Sequence, residues 1–207
     1  MSHTLGIPLP RPSADAPLGH ILRNRRSVRR FPNAPIMLAE LAQLLWAAQG
    51  VTGEEGKRTA PSAAAQYPLS LYVVAGNVSE LPSGLYAYEP QRHALARLAT
   101  DDLRPALADA AIGEQPWVRE AAVIVAISAN VAAINAHFSA QQPDGQRGAR
   151  YAYMEAGAAS ENVHLQATAL DLGMVLVGGF DDAAADAALR LNNANEETAA
   201  LLCLGRK

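Results

Sequence analysis

One cysteine, Cys203, stands among 207 residues. A lone thiol closes no internal disulfide and builds no cysteine-based zinc site within one chain, so the expectation is a reducing, cytoplasmic compartment. Charge is also scarce. Only 18% of the residues are Asp, Glu, Lys or Arg and the formal net charge is −3, which gives no overall electrostatic case for nucleic acid. Aromatics make up 5%, none beyond Phe31 interleaves with the basic run, and no zinc-finger or RNP pattern occurs. Long apolar runs are missing too. The longest, around residues 121–134, is too short to span a bilayer and is broken by Ser128 and Asn130, so no membrane partner is expected. The first seventeen residues carry prolines and polar residues with no apolar h-region, so no secretory signal is expected either.

Several motifs are absent. Five residues lie between Gly50 and Gly56 where a phosphate-binding P-loop needs four, and Arg58 follows Lys57 where Ser or Thr is required. No Gly-x-Gly-x-x-Gly run marks a Rossmann dinucleotide site, and no Gly-x-Ser-x-Gly elbow marks a serine hydrolase. The histidines, His3, His20, His93, His137 and His164, form no metal-ligand spacing, and each reads as a surface or hydrogen-bonded residue. No metal and no side-chain catalytic constellation is expected.

Half of the residues are hydrophobic, enough for one domain with a sizeable core. Residues 1–17, with Pro8, Pro10, Pro12 and Pro17, read as an extended arm, and residues 18–207 as a single α+β domain. Helical spacing predicts helices over 18–25, 38–49, 101–110, 149–172 and 183–189, with Asp101 capping the third and Gly173 ending the fourth. Strands are expected at 69–75, 121–128, 174–177 and 201–204, and a hairpin at 85–88 and 94–98. The long helix is crowded with Ala and Gly, so it is expected to be buried, with its own copy as one candidate neighbour.

The strongest local signal is Arg25-Arg26-Ser27-Val28-Arg29. Guanidinium forks match phosphate geometry and the hydroxyl adds a donor, although a solvated basic patch has the same look. Pro61-Ser62-Ala63 by itself is a helix start or a turn. Val177-Gly178-Gly179-Phe180-Asp181 is a glycine turn after a strand, which either lets a flat ligand approach the backbone or simply turns the chain.

Taken in order along the chain, these pieces resemble the nitroreductase-like flavoprotein family. The likeness rests on Arg-Arg-Ser-x-Arg-x-Phe at 25–31, Pro61-Ser62-Ala63 before a strand, and Gly-Leu-Tyr-x-Tyr at 84–88. It continues with Arg150-Tyr151, Glu155-Ala156-Gly157 and Glu161-Asn162 on the long helix, then Gly178-Gly179-Phe180-Asp181, then a terminal Gly205-Arg206. It covers roughly residues 20–207 and is closest to the azoline-oxidase-like branch. The resemblance implies a central, mainly antiparallel sheet flanked by helices, and an intertwined homodimer with FMN at the subunit interface. It implies that Arg25, Arg26, Ser27 and Arg29 hold the phosphate and ribityl chain, with Arg206, helped by Lys207, approaching the same phosphate. Gly178 and Gly179 lie against the ring, and Pro61, Ser62 and Ala63 reach it from the partner subunit.

The implied activity is an FMN-dependent oxidoreductase. It takes hydride from NADH or NADPH and reduces a small nitroaromatic, quinone or related acceptor by a ping-pong mechanism, with the flavin carrying the chemistry. The alternatives are a flavin-dependent oxidative tailoring dehydrogenase of a small or peptide substrate, and a flavin-binding non-enzyme. Pro143-Asp144-Gly145 stands where the azoline-oxidase branch has a Lys-Tyr pair, and Gly157-Ala158 where it has Gly-His, which weighs against azoline oxidation.

Overall fold

The computed structural model describes residues 6–11, 16–191 and 195–207. Its centre follows from a largely apolar run: Val123–Ala129 is buried at every position, Ser128 included, as a strand covered on both faces must be. In chain order the elements are β1 (Ile7–Pro8), α1 (Leu18–Asn24), β2 (Ile36–Met37), α2 (Leu38–Gln49), β3 (Leu69–Ala75), β4 (Val78–Ser79), β5 (Gly84–Glu89) and β6 (Ala94–Ala99). Then come α3 (Arg104–Ala110), α4 (Pro116–Glu120), β7 (Val123–Ala129), α5 (Val131–His137), α6 (Arg147–Ala169), β8 (Leu172–Val177), α7 (Asp182–Ala188) and β9 (Glu197–Arg206).

Seven strands make one sheet in the order β1-β6-β5-β3-β7-β9-β8, antiparallel at every pairing; β2 and β4 form a separate two-residue parallel pair. On one face α2, α5 and α6 bury Leu41, Leu44, Ile134, Ala156 and Val163 against Val73, Val125 and Leu202. On the other, α3, α4 and α7 bury Leu107, Val118 and Ala185 against Val74, Ile124 and Leu201. This is the α+β architecture with a mainly antiparallel sheet that the sequence led one to expect. Cys203 lies in this second core, where burial pushes its thiol up to about 12, so it is a packing residue.

Helix α2 and strand β3 fall at the residues the periodicity marked. Elsewhere the boundaries move for local reasons. Helix α3 starts at Arg104, because Asp102 Oδ1, not Asp101, accepts the Arg104 N–H at 3.1 Å; Asp101 instead pairs with Arg190. Helix α6 stops before Leu170 and the chain turns at Asp171 with φ +57, so Gly173 lies inside β8 rather than at the helix end. Helix α5, unread in the sequence, is opened by Asn130, whose side chain accepts the Ala133 N–H at 2.9 Å. Of residues 1–17, Ile7 and Pro8 pair with Leu95 and Ala94, while residues 1–5 and 12–15 lie outside the described part.

Helix α6 organises the face that matters below. Ala152, Ala156, Ala159 and Ala167 point inward and are buried. The opposite side leaves Met154, Gly157 and Glu161 exposed.

Candidate functional site

Two glycines seat the arginine segment. It leaves α1 at Arg25 and runs beside β8, the edge strand, where Ser27 pairs with Met174 and the Val28 N–H donates to the Met174 carbonyl at 2.8 Å. Val28 and Phe31 turn inward. A Cβ on Gly173 would lie 2.8 Å from Val28 Cγ1, and one on Gly205 would lie 2.9 Å from Phe31 Cδ1, so only bare backbone lets these side chains settle on the sheet. With Phe31 buried and Val28 partly buried, Arg26, Ser27 and Arg29 are left facing solvent.

The charge there is largely uncompensated. Arg25 has Glu161 at 3.7 Å and packs against His164. The Arg26 guanidinium donates to the carbonyls of Arg23 and Arg25, and the Arg29 guanidinium lies over the Trp117 ring at 5.6 Å. Neither Arg26 nor Arg29 has a carboxylate partner among the described residues. Three guanidinium groups and a hydroxyl within five residues, with one distant acid, form a donor set suited to a phosphate dianion.

Gly178 and Gly179 follow β8 directly. Gly178 lies four residues beyond Met174, about 13 Å along the strand. A Cβ on Gly178 would touch only Leu176 Cδ2 at 3.8 Å, and one on Gly179 only Gln115 Nε2 at 3.7 Å. Neither residue has a positive φ. Internal packing and backbone conformation therefore give no reason for glycine here, whereas a flat group laid on the backbone would. The α3–α4 connection fixes this turn: the Ile112 N–H and the Gln115 side chain both donate to the Gly179 carbonyl, each at 2.9 Å.

Arg206 is not brought to the arginine segment. It lies on β9 opposite Leu172, and its guanidinium closes on Glu40 in a two-point ion pair, both contacts 2.8 Å. Lys207 pairs with Asp171 at 2.8 Å.

Pro61, Ser62 and Ala63 lie at another part of α6. Glu155, 6% exposed, accepts the Ala63 N–H at 2.8 Å, and Ser62 hydrogen-bonds to the same carboxylate. Ser62 Oγ in turn accepts the Tyr67 N–H at 2.7 Å. Burial raises the Glu155 carboxyl above its ordinary range, and these two donors pull it partly back. The loop carries three non-glycine residues in the left-handed region: Ala64 (φ +49), Ala65 (φ +53) and Tyr67 (φ +48). Arg58 stacks on Tyr67 at 4.5 Å and closes the far side. A mostly apolar cavity of about 420 Å³ opens between the loop and the Tyr151, Met154 and Glu155 side chains. Within one chain this loop and the arginine segment stay apart. Glu155 and His164 mark the two contact points, nine residues or about 13 Å along the helix.

Glu155 and His164 were given no role by the sequence reading. A signal was present: Glu155 shares a helix face with Ala152 and Ala159, and His164 with Ser160 and Ala167, all buried. A titratable group on an apolar helical face invites the question of what it holds.

Among the described residues no helix is long and apolar enough to cross a membrane, and no three His, Cys, Asp or Glu residues gather as metal ligands. A model of the nitroreductase family matches residues 22–206. A Methanocaldococcus jannaschii protein provisionally named a nitroreductase is 40% identical over 182 residues, 88% of each chain. A crystal structure from Ralstonia eutropha, with the same provisional name, superposes with a TM-score of 0.77 at 28% identity, covering 100% of this chain and 91% of that one. A chain of the Escherichia coli microcin synthetase complex, solved with truncated pro-MccB17 bound, shares the fold with a TM-score of 0.72 at 19% identity, covering 95% of this chain and 75% of that one.

Proposed function

The chain belongs to the nitroreductase family, and from that premise we propose that it is an FMN-dependent oxidoreductase. It takes hydride from NADH or NADPH and passes it to a small nitroaromatic, quinone or related acceptor in ping-pong order. The observation that carries this reading is the edge of β8, with unpaired cations at one end and bare glycine backbone at the other.

When bound, FMN supplies the redox chemistry, which accounts for a site without a nucleophile or general base. Arg25, Arg26, Ser27 and Arg29 hold its phosphate, and Gly178 and Gly179 offer backbone to its ring. Arg206 joins them only by giving up Glu40, and Lys207 only by giving up Asp171. Trp117 under Arg29 limits where that guanidinium points.

A second copy of the chain completes the site by bringing its Pro61, Ser62 and Ala63. Leu18, Leu22, Tyr153 and Met154 expose apolar side chains on α1 and α6. A Cβ on Gly19 or Gly157 would meet nothing within 4 Å in one chain. A mid-helix glycine costs about 1 kcal/mol relative to alanine, and a close-packed partner helix is a reason to carry that cost. In this reading residues 18–207 form the FMN-binding domain, residues 1–17 an arm, and the enzyme works as a cytoplasmic homodimer.

An anaerobic absorbance titration tests the reading. The purified protein is expected to show a flavin band that NADH or NADPH bleaches and a nitroaromatic or quinone restores. A band that neither nucleotide bleaches overturns the donor assignment and favours an oxidative tailoring enzyme. A colourless protein that cannot be reconstituted with FMN overturns the proposal as a whole.

A further inference from the structure

The buried face of α6 meets the arginine segment through one imidazole. His164 is 6% exposed, and its Nε2 lies 3.1 Å from the Arg26 carbonyl oxygen. A carbonyl only accepts, so Nε2 carries a proton and donates it. Arg25 Nη1 lies at nearly equal distances from the two ring nitrogens, 3.3 Å from Nδ1 and 3.4 Å from Nε2. That symmetry seats the guanidinium over the ring face between them rather than in line with the Nδ1 lone pair. A cation rests there on a neutral ring and is repelled by an imidazolium. Burial and the Arg25 charge both push the imidazole toward its neutral form, against the Arg26 carbonyl and Glu161. Glu161, three residues earlier on α6 and exposed, draws Arg25 Nε to 3.7 Å. Arg25 Nη2 has no partner among the described residues.

We propose that His164 is a positioning residue of the phosphate site: its neutral ring carries the Arg25 guanidinium on one face and pins the Arg26 carbonyl, leaving Arg25 Nη2 for an anion. This rests on the assignment of residues 25–29 to the FMN phosphate. The ring touches neither flavin nor substrate. It sets the direction of a long, rotamer-rich side chain, which would otherwise lose that freedom on binding.

The experiment compares dissociation constants for FMN and for riboflavin, which lacks the phosphate, across variants of the full chain. R25A is expected to weaken FMN by roughly thirtyfold to a hundredfold, the size of a lost charge-assisted contact, and to leave riboflavin unchanged. H164L is expected to weaken FMN by roughly tenfold and leave riboflavin unchanged, and H164Q, whose amide can donate to the Arg26 carbonyl and lie flat under Arg25, to stay within about threefold of the parent. The double variant R25A/H164L is expected to bind FMN no worse than R25A, because the two residues act as one unit. Unchanged FMN binding in H164L, or equal losses for both flavins, overturns the role of His164. Unchanged FMN binding in R25A overturns the phosphate assignment itself, and the two failures are thereby told apart. If H164L does not fold, ring ¹⁵N shifts of the parent protein decide: a neutral His164 protonated on Nε2 supports the proposal, and an imidazolium or an Nδ1–H ring at neutral pH overturns it.

Discussion

Two loops are held by α6, and they are held in opposite ways. At His164 and Glu161 the helix supports a segment whose chemistry lies in its side chains: cations pointing outward, seated by Val28 and Phe31 on Gly173 and Gly205. At Glu155 it supports a loop whose character lies in its backbone, with three left-handed non-glycine residues tied down by one buried carboxylate. The first arrangement stores charge and the second stores strain. Charge announces itself in a sequence, whereas strain appears only once the chain is folded, and strain of this kind gathers at sites where a loop must hold an unfavourable shape for a ligand.

Removing the carboxylate breaks the comparison most forcefully. Glu155→Ala leaves the Ala63 N–H and the Ser62 hydroxyl without their acceptor in a part-buried place, and the expected loss is about 2 kcal/mol in a urea unfolding series. Glu155→Gln keeps one acceptor and should lose less. The pair also separates by pH. The folded carboxyl is raised by burial, so the folded chain holds its proton more tightly than the unfolded one. The stabilisation is complete below the ordinary carboxyl range and is lost as pH rises through the raised value. Unfolding curves across acidic to neutral pH are expected to show the parent protein losing stability that the Gln variant does not lose. Parallel curves for the two proteins would remove Glu155 as the titrating group.

The arginine end has its own counterpart. Gly205→Ala drives a methyl against Phe31, and overpacking of this kind costs about 2 kcal/mol. Because Phe31 seats the segment, FMN retention is expected to fall more than riboflavin retention. Loss of Glu155 is expected to weaken both flavins alike. The reverse pattern would mean that the two loops do not serve the two ends of one ligand. Ala64→Gly should move the other way. Relief of a left-handed alanine contributes about 1–2 kcal/mol, the extra unfolded-state freedom of glycine offsets about 1, and the net gain is about 0.5 kcal/mol. For a chain of this size that raises Tm by about 1–2 °C. A drop in Tm would show that the loop is not strained at Ala64.

The same contrast explains what the sequence made legible. Helix α2 and strand β3 were readable because their apolar spacing reports directly on the face they bury. The arginine segment was readable because guanidinium groups mean much the same wherever they stand. β2 and β4, two residues each, carry no period to detect, and α5 was hidden because its first turn continues the apolar run of β7 with only Asn130 between them. Glu155 and His164 drew no role because their partners are 92 and 139 residues away in sequence. The fork of Arg206 closes on Glu40, 166 residues away, a partner that no local pattern could have suggested.

The smallest expected change in stability is the sharpest test of the bare backbone after β8. Gly178 has no positive φ, and a Cβ there would meet only Leu176 Cδ2 at ordinary van der Waals distance, 3.8 Å. Gly178→Ala is therefore expected to keep stability within about 0.5 kcal/mol of the parent, since it adds one methyl to open space and removes a little unfolded-state entropy. If that space is where a flat ring lies, the same methyl holds the ring off the backbone, and affinity for FMN and riboflavin should fall together, by roughly tenfold. Calorimetric unfolding of the apoprotein and flavin titration of the same preparation check both halves. A variant that is as stable as the parent and binds flavin as well would show that the glycines only turn the chain, and one that loses stability would show that the turn needs glycine for its own sake.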